Sequence, residues 1–142
     1  MITTPMPLRL PDWPARFAAL VARAHRTPFA WGGQDCCLWA ADSALALTGQ
    51  DPAADLRGTY TTAAGAWHAL RSVGGLRGAA SRGGVLLPGP AYAIDGDVAI
   101  VQGAARRGLA VHVAGLWMCA TERGLYALPA AAARCAWGVG HG

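Results

Sequence analysis

Apolar residues recur at helical spacing through the first half of the chain and at two-residue spacing through the second. Phe17, Leu20, Val21 and Ala24 fall on one face of a helix predicted over residues 13–25, with Asp12 as its N-cap and Pro14 in its first turn. Thr27-Pro28 closes it, because a proline disfavours helix at the residue before it. A second helix is predicted over 36–48. Asp35 caps it, Leu38, Ala41 and Leu45 give it a packing face, and Gly49 stops it. A third spans roughly 62–73 and ends at Gly74-Gly75, and the glycine-broken stretch 76–84 reads as one or two helical turns.

From residue 97 the period changes. "DVAIVQ" (97–102), "LAVHVAG" (109–115), "LWMCA" (116–120), "LYAL" (125–128) and "CAWGV" (135–139) read as short strands separated by turns. Helices followed by a run of strands predict an α+β fold, the N-terminal helices packed on an antiparallel sheet formed by the C-terminal half. No repeat and no linker divides the chain, so residues 1–142 read as one domain.

Composition narrows the classes. The chain is 54% apolar and 14% charged, which places it among globular rather than disordered sequences. Every basic residue is arginine, and the net charge of +4 is spread along the chain, with Arg106-Arg107 the one basic pair. Without a basic stripe interleaved with aromatics, no nucleic-acid partner is expected. Charges or glycines interrupt each apolar run, so no membrane insertion is expected. No signal peptide is evident, which predicts synthesis in a cytoplasm and reduced cysteines.

The chemistry concentrates in "FAWGGQDCCLWAAD", residues 29–42. A cysteine at a helix N-terminus meets unpaired backbone N–H groups and the positive end of the helix dipole, and both favour the thiolate. Cys36 takes that position, while Cys37 points about 100° away and is expected to pack inward. The glycine pair Gly32-Gly33 allows a sharp turn and a close backbone approach to a ligand. Gln34 is a candidate oxyanion donor. Asp35 is first a cap and second a charge beside the thiol. Tyr60, in "RGTYTT", is a candidate for the cleft wall, and Asp42 is expected to be solvated or paired with an arginine.

The aromatic-x-Trp-Gly-Gly turn, the Asp-Cys step that opens a helix, and a later Gly-Asp-Val strand followed by "HV" in the next strand resemble the NlpC-like cysteine peptidases. The resemblance runs from about Trp13 to Trp137, specific in its first half and loose in its second. It implies a papain-like fold and cleavage of peptidoglycan stem peptides, with Cys36 as nucleophile. The compact form, "PFAWGGQDCCLWAAD" with "LRGTYTTAAGAWHALRSVGG" behind it, is similar to short proteins encoded among phage and prophage tail genes. That implies tail hub or tip proteins as partners and residence at a virion tail tip. Two functions follow: a wall-cleaving endopeptidase acting during genome entry, or a structural tail-tip component that keeps the fold without the chemistry.

The base decides between them. His112 is the histidine in the strand that follows "GDVAIV", and a Cys–His pair suffices for a nucleophile if the two come within hydrogen-bond reach. Aligning backwards from "WMCATERGLYALP" instead puts the family's histidine on Gly108, and Phe29 stands where the family has a tyrosine. Four residues of strand are about 13 Å, too far for proton transfer, so either His112 or an empty Gly108 position faces Cys36. Cys36, Cys37, Cys119, Cys135 and His112 are enough side chains to bind a metal. Adjacent cysteines chelate poorly and no Cys-x-x-Cys spacing is present, so neither a metal nor a cofactor is expected.

Overall fold

The computed structural model describes residues 6–103 and 106–141. Four helices come first: α1 (Trp13–His25), α2 (Cys36–Thr48), α3 (Ala63–Ser72) and α4 (Gly75–Gly83). Six strands follow: β1 (Val85–Leu86), β2 (Val98–Gln102), β3 (Arg107–Val113), β4 (Leu116–Thr121), β5 (Gly124–Leu128) and β6 (Ala133–Gly138). They form one antiparallel sheet in the order β1-β6-β2-β3-β4-β5. The expected α+β architecture, helices first and an antiparallel sheet from the second half, is the one observed.

Alternation along the strands sends one set of side chains to the helices and the other to the opposite face. Val98, Ile100, Leu109, Val111, Met118, Ala120 and Trp137 join Phe17, Leu20, Trp39 and Leu47 in the main core. Ala99, Val101, Ala110, Trp117, Cys119 and Ala136 form a second apolar cluster, packed by Leu87, Ala93, Leu128, Ala132 and Ala133. Both faces are therefore buried, the second by the segments around two short 3-10 turns, Pro90–Tyr92 and Ala130–Ala132, rather than by α-helices.

Helix α2 is the centre of the fold. Its residues are apolar nearly all round, the signature of a helix with neighbours on every side. Two buried polar bonds fix its height on the sheet: Trp39 Nε1 donates to the Met118 carbonyl at 2.8 Å, and Ser43 Oγ to the Gly96 carbonyl at 2.9 Å. Its register against β3 thereby determines what faces its first turn.

Two details differ from the sequence expectation. Asp12 does not cap α1, because its carboxylate takes Arg16 Nε at 2.9 Å, an i,i+4 pair that competes with the backbone amides. The stretch after Gly74 is a nine-residue helix despite its glycines. Gly78 is required there by contact, since a Cβ at that position would lie 1.9 Å from the Val73 carbonyl oxygen. Strand β1, two residues paired with Trp137 and Gly138 of β6, is too short to leave an alternation in the sequence.

Candidate functional site at the mouth of helix α2

Asp35 organises the first turn of α2. It is buried, its Oδ1 accepts from the Leu38 N–H at 2.9 Å, and its Oδ2 accepts from the Gly32 N–H at 3.0 Å and from Tyr60 Oη at 2.7 Å. One carboxylate thus holds the helix start, the glycine turn and the wall residue Tyr60. Gly32 has φ +83°, and a Cβ on it would collide with the Tyr60 carbonyl oxygen. Burial, followed by the bond to Asp35, pushes the Tyr60 hydroxyl pKa far up, so Tyr60 is a donor and not a base.

Gln34 serves the scaffold. Its Nε2 donates to the Ala24 carbonyl at 2.9 Å and to the Thr27 carbonyl at 3.2 Å, committing both side-chain hydrogens to the C-terminal end of α1. Asp42 pairs with Arg57 at 2.7 Å, and Arg57 also holds Asp51.

Cys36 and Cys37 are both half-buried, with sulfurs 3.9 Å apart. A bond from the Cys37 thiol, helped by the Leu109 backbone and the charge of Arg106, lowers the Cys36 pKa against the opposing effects of burial and Asp35. The same bond and burial raise Cys37 well above the ordinary thiol range, so of the two Cys36 is favoured to ionise and Cys37 to keep its proton.

The β3 backbone passes this sulfur beyond the end of its pairing with β4. β3 and β4 pair at the hairpin end, Val111 with Met118, His112 with Trp117 and Val113 with Leu116, and no further pairing follows among the described residues. At the parting, Cys119 Sγ donates to the Leu109 carbonyl at 3.6 Å, and burial pushes its pKa up to about 12. Gly108 stands directly opposite Cys36: a Cβ there would lie 3.6 Å from Cys36 Sγ, ordinary van der Waals contact. Arg106 lies between two indoles, its guanidinium carbon 5.2 Å from the centre of the Trp31 ring and 5.8 Å from that of Trp67, with Glu122 3.8 Å from its Nη2. Phe29 meets Trp31 edge-on at 4.9 Å.

A family model described as domain of unknown function (DUF6950) matches residues 8–139. The chain belongs to the DUF6950 family. No curated protein and no solved structure matches the chain. The matched region of the DUF6950 domain contains the whole arrangement just described, from Ala24 to Glu122.

His112 lies four residues along β3 from Gly108, about 13 Å at the rise of a strand, and it is engaged elsewhere. Its Nδ1 meets Asp95 Oδ1 at 3.1 Å, its ring meets Trp117 edge-on at 4.9 Å, and its backbone pairs with Asp97 and Gly96. Asp95 also accepts from the Ala114 N–H at 2.9 Å in the β3–β4 turn, so the His112–Asp95 contact braces that hairpin. Of the residues singled out in the sequence of this DUF6950 domain, Cys36, Asp35 and Tyr60 are brought together; Gln34 turns to α1, and His112 sits at the far end of β3. Sequence reasoning missed Arg106, Trp31 and Trp67 as a group. Their separation in the chain hides it, although Arg106 heads the basic pair noted above.

Proposed function

We propose that this chain is a tail-tip or hub-associated component of a phage or phage-like particle, built on a papain-like, NlpC-type fold, that does not cleave peptidoglycan stem peptides. The observation that carries the reading is Gly108 opposite Cys36. Gly108 has no side chain to protonate a leaving amine, no histidine among the described residues acts on the Cys36 thiol, and peptide hydrolysis by cysteine needs that proton donor. Further support comes from His112, which is spent on Asp95 and the hairpin turn. The tail context rests on the likeness of residues 28–42 and the segment behind them to short tail-gene products.

Two measurements test the two halves of the reading. Purified sacculi incubated with wild type, Cys36→Ala and His112→Ala should release no more muropeptide than buffer, and the protein should be found in purified particles bound to hub or tip proteins. Release that depends on Cys36 and His112 would instead establish the endopeptidase reading. Absence from particles would remove the tail assignment.

A further inference from the structure

We propose that Cys36 and Cys37 form a dithiol exchange site that takes low-molecular-weight disulfides bearing negative charge. The proposal concerns this thiol pair alone and stands whether or not the chain belongs to a tail. Thiol–disulfide exchange, unlike peptide hydrolysis, needs no general acid, because the leaving group is itself a good thiolate. It needs a nucleophilic sulfur, access, and a second thiol near enough to resolve the product. The two sulfurs are 3.9 Å apart and both residues are half-buried. Asp35 fixes the backbone beneath them through Leu38 and Gly32. Gly108 presents only backbone to Cys36 Sγ, where a Cβ would already be in van der Waals contact at 3.6 Å, so no side chain of β3 covers the sulfur at that position. Arg106, held against Trp31 and Trp67 with Glu122 3.8 Å from its Nη2, is the cation whose charge acts on the Cys36 sulfur, and a cation there favours the anionic class.

In the first step the Cys36 thiolate attacks one sulfur of R–S–S–R. A Cys36–S–S–R bond forms, the R–S–S–R bond breaks, and RS⁻ leaves. In the second step Cys37 gives up its proton to the departing thiolate or to water and attacks the Cys36 sulfur. The Cys36–Cys37 bond forms and the second RS⁻ departs. The two cysteines lose two electrons and the small disulfide gains them. The Cα atoms of adjacent residues are only about 3.8 Å apart, below the usual ~4.4–6.8 Å of a disulfide. The product is therefore readily reduced, and the exchange is reversible.

The test uses the full chain, reduced and then incubated without oxygen in excess glutathione disulfide, with released glutathione and the intact mass followed together. Wild type should release two equivalents and map to a Cys36–Cys37 disulfide. Cys37→Ser should stop after one equivalent with glutathione on Cys36, and Cys36→Ser should react at least about tenfold more slowly. Cystamine, a cationic disulfide, should react more slowly than glutathione disulfide with wild type, and this difference should vanish in Arg106→Gln. Circular dichroism of each variant shows whether it is folded. Modification of Cys36 no faster than of Cys135 would overturn the proposal, as would a second equivalent from Cys37→Ser or a permanent adduct in wild type. Equal rates for the two disulfides would overturn the assigned ligand class.

Discussion

Replacing Asp97 with alanine should cost about 3–5 kcal/mol of stability, most of what a domain of this size has. Asp97 is fully buried at the start of β2. Its Oδ1 accepts from Arg9 Nη2 at 3.0 Å and from the Val139 N–H at 2.9 Å, and its Oδ2 accepts from the Ile94 N–H at 2.9 Å. His141 Nε2 bridges both oxygens at 2.8 and 2.9 Å. The carboxylate thus ties the segment before α1 to the end of β6 across the head of the sheet. Burial lowers the Arg9 pKa and Asp97 is the chief charge that opposes the shift. Without it, Arg9 is left as a buried cation with the Val139 and Asp95 carbonyls, the Trp13 ring and the weaker effect of the Asp95 charge. Asp97→Asn keeps one acceptor oxygen and should fall less far. Urea unfolding followed by circular dichroism measures both, and a loss under about 1 kcal/mol for Asp97→Ala would show that the clamp is replaced by water.

Asp35→Ala should be the next most damaging change, at about 2–4 kcal/mol. It removes the cap of the central helix and strands the Gly32 N–H and the Tyr60 hydroxyl, both of which have Asp35 as their partner. Tyr60→Phe isolates one of these bonds and should cost about 1 kcal/mol. Comparing the two variants in the same unfolding experiment separates the cap from the wall. Equal losses would mean that the Leu38 and Gly32 bonds contribute nothing.

Much of this was legible in the chain because it is written in local chemistry. Asp35 before an apolar helix, Gly49 after it, and the two-residue alternation from Val98 onward each point to structure set by near neighbours. The Gly108 alternative was also legible, because aligning the resembled family's pattern backwards from "WMCATERGLYALP" puts its histidine position there. What could not be read is decided by competition between partners or over long separations. Whether Asp12 caps or pairs depends on Arg16 outcompeting a backbone amide. Asp97 looks like any turn aspartate until Arg9 and His141, from opposite ends of the chain, arrive at it. Gln34 reads as a site residue until the end of α1 is seen to offer it two carbonyls. The Trp31–Arg106–Trp67 group needs the loop before α2, helix α3 and the start of β3 to meet.

The central claim is that no histidine serves Cys36, and the pH dependence of Cys36 alkylation tests it most directly. The thiolate is favoured by Cys37, the Leu109 backbone and Arg106, so the Cys36 rate should rise through a single titration below the ordinary thiol range. His112→Ala should leave the curve unchanged. Gly108→His, whose Cβ fits beside the sulfur, should add a second inflection near the ordinary imidazole value of about 6.5, as an imidazolium at that position would favour the thiolate further. A wild-type curve that already carries an imidazole inflection, lost in His112→Ala, would contradict the account.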